Sequence, residues 1–219
     1  MTYIDFFDSP LGRITIASEE NHLVGLWFDG QKYDRLGLKE YIIVDQRLRS
    51  KPAQEGNGVQ ESKPAQERNE VQESKPAQEK NGVQESIAVL EDTKRWLTIY
   101  FQGTMPDFLP DLKLQGSEFR KMVSEIMLSI PYGQLMTYGE IAKEVAKRLG
   151  KERMSAQAVG GAVGHNPISI IVPCHRVVSG NGSLTGYAGG IKRKVWLLEN
   201  EGISLREKKL FVPQKGSAL

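Results

Sequence analysis

Residues 117–164 read SEFRKMVSEIMLSIPYGQLMTYGEIAKEVAKRLGKERMSAQAVGGAVG, and this stretch decides the architecture of the second half of the chain. Phe119, Met122, Val123, Ile126, Met127 and Ile130 recur on one helical face, with Ser117 as N-cap and Pro131 beyond the end. After the turn Pro131-Tyr132-Gly133, Thr137-Tyr138-Gly139-Glu140 has capping-box spacing ahead of Ile141, Ala142 and Val145. Gly150 ends that second helix, and a short third one is predicted from Ser155 through Val163. Gly160, Gly161 and Gly164 make it a poor helix by propensity. They leave a smooth surface on which backbone can approach something flat, either a groove wall or another helix. Helix, turn and short helix together form the pattern of a helix-turn-helix element.

The charge distribution agrees with that pattern. From Gly116 to Leu219 there are 15 Lys and Arg against 8 Asp and Glu, a surplus of +7; the chain's net +2 therefore leaves −5 for the residues before Gly116. A basic half joined to an acidic half points to a polyanion as the partner of the basic half.

Downstream, His165-Asn166-Pro167 leads into Ile168–Val172, an apolar run read as strand-like, and then Pro173-Cys174-His175-Arg176-Val177. Cys174 is the only cysteine, which excludes an internal disulfide and a cysteine-based zinc site. The three histidines, His22, His165 and His175, are too scattered to suggest another metal site, so no metal or cofactor is expected. A lone buried cysteine is usually a small hydrophobe. Here the stiff Pro173 precedes it and two potential cations, His175 and Arg176, follow, which reads as a reactive thiol. A free thiol of pKa about 8.5 is only a few per cent thiolate near pH 7, and neighbouring positive charge would raise that fraction.

In the first half, Tyr3–Phe7, Arg13–Ala17 and Leu23–Phe28 are rich in β-branched and aromatic residues and are separated by turn-like Ser9–Gly12 and Glu19–His22. Val89, Leu90, Thr93, Trp96, Leu97, Tyr100 and Phe101 recur at helical spacing and are read as core. Between these lies a repeat: SKPAQEGNGVQE from Ser50, SKPAQERNEVQE from Ser62 and SKPAQEKNGVQE from Ser74. Each copy offers a valine as its only sizeable apolar group, so the segment is expected to be a disordered or weakly helical surface loop.

The organisation expected is a sheet-plus-helix domain from residues 1–48 with 86–112, the repeat insertion at 49–85, a DNA-binding domain at 113–208 that also carries Cys174, and a flexible tail at 209–219. The fold class is α+β, a small amino-terminal sheet-plus-helix domain followed by a helical, winged-helix-like domain. No apolar run of membrane-spanning length and no basic-then-apolar leader is present, so an intracellular protein without membrane contact is expected, cytoplasmic or, in a eukaryote, nuclear.

The motifs IPYGQLMTYGEIA, AVGGAVGHNP, IIVPCHRVV, GSLTGYAGG and LLENEG stand in this order between Phe119 and Gly202. In them the chain resembles the O6-alkylguanine-DNA alkyltransferases, the methylated-DNA–protein-cysteine methyltransferases; the first half resembles the family's smaller domain only loosely, and the repeat is foreign to it. The resemblance implies one-shot DNA repair by a monomer on double-stranded DNA, approached from the minor groove. A flipped O6-alkylguanine, or an O4-alkylthymine, would pass its alkyl group to Cys174. His175 would draw the thiol proton through a water towards Glu201, Tyr138 would serve the leaving base, and the Ala188 backbone N–H beside Tyr187 would face the departing oxygen. Asn166 would tie the recognition helix to the active-site turn, Lys194 would be a pocket lysine, and Arg176 and the helix residues Gln157, Ala158 and Gly160 would contact substrate or DNA.

One position departs from the family: Gln157 stands where an arginine is usual, and it lacks the charge and stacking plane of a guanidinium. Two other readings differ in class. A sensor of alkylated DNA without repair activity would lack the cysteine that this chain keeps, and a cysteine hydrolase would need a histidine base in a context that neither His22 nor His165 provides.

Overall fold

The computed structural model describes residues 1–35, 37–38, 40–44 and 77–213. Strands β1 (Thr2–Ser9), β2 (Gly12–Glu19) and β3 (His22–Phe28) form an antiparallel meander where β-branched and aromatic residues are dense. The β1–β2 turn is closed by Ser9, whose Oγ donates to the Gly12 carbonyl while accepting from Leu11 N. A short β4 (Tyr41–Ile43) adds parallel to β1, giving the order β3-β2-β1-β4.

Helix α1 (Ala77–Phe101) covers one face of this sheet and buries Leu90, Thr93, Trp96, Leu97 and Tyr100. The Thr93 hydroxyl donates back to the Val89 carbonyl, so the stripe carries it without an unpaired group. α1 begins inside the third copy of the repeat, so that copy is not wholly a loop: continuity with the packed stripe extends the helix backwards. The first two copies, and the third up to Pro76, lie outside the described residues.

α2 (Glu118–Leu128) starts at Ser117, whose side chain accepts from Arg120 N. The two-residue β5 (Met136–Thr137) leads into α3 (Tyr138–Arg148), where Thr137 and Glu140 form a complete capping box. Ser155 caps α4 (Ala156–Gly164), which packs on α2 and α3 through Val159, Ala162 and Val163. A 3₁₀ turn (Cys174–Arg176) and β6 (Val177–Val178), parallel to β5, precede α5 (Ile191–Asn200).

The run Ile168–Val172 is not a strand. Only Ile168 bridges, to Leu26 of β3, and the chain then turns, with Ile170 at φ +68°. The side chain of Asn166 takes the place of a ladder partner, donating to the carbonyls of Ile168 and Val172 and accepting from Ile168 N. The buried apolar side chains of this turn lie at the seam between sheet and helices, where Leu26 exchanges backbone hydrogen bonds with Pro167 and Ser169. One apolar core runs through this seam from Ile14 and Phe28 of the sheet to Ile126 and Val145 of the helices. The expected tail is tied down at its start: Phe211 N donates to the Gly182 carbonyl, and the Phe211 carbonyl accepts from Leu184 N. The molecule is α+β, a sheet with one long helix followed by a helical region. Among the described residues no helix is long and apolar enough to cross a membrane.

Candidate active site

Three segments converge behind α4: the Asn166–Val172 turn, the Cys174–Arg176 turn, and the end of α5 at Glu201. Cys174 is 4% exposed, and its Sγ accepts from Asn166 Nδ2 at 3.1 Å. Asn166 thus fixes both ends of its turn and the sulfur with one carboxamide. Burial pushes the Cys174 thiol up, and the Asn166 hydrogen bond and the Lys194 charge only partly oppose this. The expected enrichment in thiolate is therefore absent at rest, and the proton must be removed when the group reacts.

His175 is fully buried, with Nε2 2.7 Å from Glu201 Oε1. A carboxylate only accepts, so this contact places the ring proton on Nε2 and leaves Nδ1 as an acceptor. Nδ1 has no hydrogen-bond partner among the described residues. Burial holds His175 below its ordinary pKa against the pull of Glu201, so the ring is neutral near pH 7.

Glu201 is the hub. Its Oε1 accepts from His175 Nε2, from Arg176 Nη2 at 2.9 Å and from Tyr100 Oη at 2.7 Å; its Oε2 accepts from Arg176 Nε at 2.8 Å and Gly133 N at 3.1 Å. Burial pushes its pKa up, but the hydrogen bonds and charges of His175 and Arg176 outweigh that and leave it at about 2. Arg176 corrects an expectation: it is 4% exposed, spends its guanidinium on Glu201 and the Ile130 carbonyl, and is not available to a nucleic-acid surface. Its charge offsets Glu201 instead of activating the thiol.

Tyr138, Tyr187 and Lys194 also lie within electrostatic reach of Cys174. Tyr138 opens α3, donates from Oη to the Thr185 carbonyl at 3.3 Å, and is pushed up to about 12 by burial and by Cys174. Its hydroxyl therefore keeps its proton at neutral pH. Tyr187 is buried, with no partner for its Oη among the described residues. The loop beneath it needs glycine: a Cβ on Gly189 would lie 2.6 Å from the Tyr187 ring and 3.2 Å from Phe28. Arg193 fastens this loop to the sheet by donating to the carbonyls of Gly189 and Leu11, while Lys32 N donates to the Ala188 carbonyl. Lys194 is fully buried, and its Nζ donates to the carbonyls of Val177 at 2.6 Å and Thr185 at 3.3 Å, so it anchors the loop; burial lowers it to about 8.

Gln157 and Ala158 lie exposed on the first turn of α4, and Gly160 is half-buried with the Tyr138 ring 3.9 Å from where its Cβ would be. The structure thus gathers two hydrogen-bonded pairs at consecutive residues of the 3₁₀ turn, Asn166 with Cys174 and His175 with Glu201. Tyr138, Tyr187 and Lys194 stand beside them, and Gln157, Ala158 and Gly160 lie on the adjoining surface. Among the described residues no three of His, Cys, Asp and Glu converge as metal ligands. Sequence reading missed Tyr100, taken for core. Its hydroxyl was the available signal, because a tyrosine fully buried in an apolar stripe needs a polar partner.

Residues 118–203 match the family model described as 6-O-methylguanine DNA methyltransferase, DNA binding domain, and residues 2–54 match the same family's ribonuclease-like domain. A methylated-DNA–protein-cysteine methyltransferase of Methanosarcina acetivorans is 42% identical over 202 residues, covering 91% of this chain and 98% of the relative. One of Mycobacterium bovis is 50% identical over 105 residues; that match covers 48% of this chain and 61% of the relative's own length. A crystal structure of Mycobacterium tuberculosis OGT in complex with DNA superposes with a TM-score of 0.62 at 32% identity, covering 91% of this chain and 92% of that one. With both halves matched in order and a full-length relative at this identity, the chain belongs to the 6-O-methylguanine DNA methyltransferase family.

Proposed function

We propose that this protein repairs DNA by direct reversal, moving the alkyl group of an O6-alkylguanine irreversibly onto Cys174. The observation that carries the reading is a buried thiol held by Asn166 beside a histidine whose Nε2 is committed to Glu201 and whose Nδ1 has no hydrogen-bond partner among the described residues. The thiol proton passes through a water to Nδ1, and the sulfur attacks the alkyl carbon. The S–C bond forms as the C–O6 bond breaks, and the electron pair leaves on the guanine. One proton, supplied or steered by the Tyr138 hydroxyl, neutralises the departing base, with the Ala188 N–H facing its oxygen. The product thioether cannot be exchanged by cellular thiols, so each molecule acts once.

Base flipping brings the lesion to Cys174, since chemistry at O6 cannot occur within the stack. α4 presents Gln157, Ala158 and Gly160 to the minor groove of the duplex. The protein acts as a monomer and needs no cofactor, and O4-alkylthymine is a second candidate substrate. The test is mass spectrometry after incubation with an O6-methylguanine oligonucleotide. The Cys174 peptide should gain one methyl, and the Cys174→Ala variant should gain none. Binding without any gain would instead support a sensor of alkylated DNA.

A further inference from the structure

We infer that Tyr100 is a positioning residue for alkyl transfer, supplied to the His175–Glu201 pair by the amino-terminal half of the molecule. The inference rests on the alkyl-transfer reading above and deepens it. Tyr100 lies one residue before the end of α1, is fully buried, and donates to Glu201 Oε1 at 2.7 Å while standing 3.4 Å from His175 Nε2. Its ring is clamped by a stack on Trp96 at 5.1 Å and an edge contact with Tyr132 at 6.2 Å. Its carbonyl accepts from Asn200 Nδ2, next to Glu201 in sequence. Burial, before any effect of Glu201, raises its pKa well above the ordinary value, so the hydroxyl is a donor at every pH of interest.

The geometry explains why a fifth donor matters. Arg176 grips both oxygens of Glu201 and Gly133 N holds Oε2, and these donors, like His175, all belong to the carboxy-terminal half of the chain. Tyr100 pins Oε1, the oxygen that receives His175 Nε2–H, and so fixes the acceptor that selects the histidine tautomer. With Oε1 fixed, Nδ1 stays bare and can receive a proton. Without Tyr100, Oε1 is held only by Arg176 and His175, and the imidazole can turn or exchange tautomers at lower cost. The relay is thus completed by a side chain from the half of the molecule that, among the described residues, carries no other part of it.

Single-turnover transfer from free O6-benzylguanine tests this without involving DNA binding, comparing the full-length chain with Tyr100→Phe, which keeps the ring and its stacking. The limiting rate per folded molecule should fall about three- to tenfold, the scale of one buried hydrogen bond, with the half-saturating concentration unchanged. Ring 15N shifts of His175 should report the Nε2–H tautomer in the native chain and a mixed population in Tyr100→Phe. The inference is overturned if the limiting rate per folded molecule and the tautomer both stay native, even if the melting temperature drops, because Tyr100 would then only pack. It is also overturned if the loss lies in half-saturation alone. If the native chain gains no benzyl group, the alkyl-transfer reading fails, while the tautomer measurement still decides what Tyr100 does.

Discussion

Helix α4 and the buried polar groups around Cys174 are built on opposite principles. In the turns and at the end of α5, Asn166, His175, Arg176 and Glu201 are all buried; Asn166 is tied to Cys174 and backbone, and His175 and Arg176 are tied to Glu201. On α4 the outward residues Gln157, Ala158 and Gly161 are exposed and small or uncharged, and the helix makes its tertiary contacts through Val159, Ala162 and Val163. The turns set geometry and protonation before any substrate arrives, whereas the helix offers a surface whose smoothness is its property. Changes in the turns should therefore damage stability and chemistry together, with or without DNA. Changes on the outer face of α4 should alter what happens on a duplex and leave transfer from the free base as it is.

The largest expected effect breaks the buried set. Glu201→Gln leaves the Arg176 guanidinium buried without its counter-charge, and unfolding by denaturant should show a loss of about 3–5 kcal/mol at pH 7. The pH dependence carries the same signature. Glu201 is held at about 2 in the folded protein against an ordinary value of 4.5, so its stabilisation is present above about pH 4.5 and is lost as the pH falls towards 2. His175 is held below its ordinary 6.5, so the unfolded chain also takes up its proton first, and stability declines below about pH 6.5. The native chain should lose stability in both windows, and Glu201→Gln should lose the dependence of the lower one. An unchanged lower window would mean that Glu201 is not the group responsible.

How much of this was legible in the sequence divides along the same line. Capping at Ser117, Thr137 and Ser155 and the stripes of α2 and α3 depend on residues three or four apart, so local pattern placed them. The buried set depends on partners far apart in sequence. Arg176 was expected on DNA because its partner Glu201 lies 25 residues on, and nothing local to the 3₁₀ turn announces that pairing. The strand expected at Ile168–Val172 failed for a related reason: an apolar run looks the same whether a ladder or a single asparagine side chain satisfies its backbone. Tyr100 was read as core, and it is core; only its hydroxyl, reaching Glu201 across 101 positions, gives it a second role.

A smaller effect tests the other side of the comparison. Gln157→Arg introduces the side chain that the family resemblance leads one to expect at this position, whose charge and planar face suit the gap left by a flipped base. Repair of O6-methylguanine in duplex DNA should speed up by about tenfold, and transfer from free O6-benzylguanine should not change. If both rates rose, α4 and the buried set would be coupled and the contrast between them would dissolve. If neither rose, the glutamine would not be what limits delivery.

The smallest effect separates stability from delivery on α4 itself. Gly161 lies one helical turn beyond Gln157, is exposed, and has nothing within 4 Å of where a Cβ would stand. It sits inside the helix rather than among the left-handed glycines, so nothing in its backbone requires glycine. Gly161→Ala should therefore stabilise the fold by about 0.5–1 kcal/mol through helix propensity alone, read from the denaturation midpoint. If the glycine is there to let a flat partner approach, the same methyl group should weaken binding to duplex DNA while leaving transfer from the free base as it was. A variant that is more stable and binds duplex equally well would show that α4 is smooth only by tolerance. A variant that is more stable and binds less well would show that the helix carries a less favourable residue because its partner needs the space.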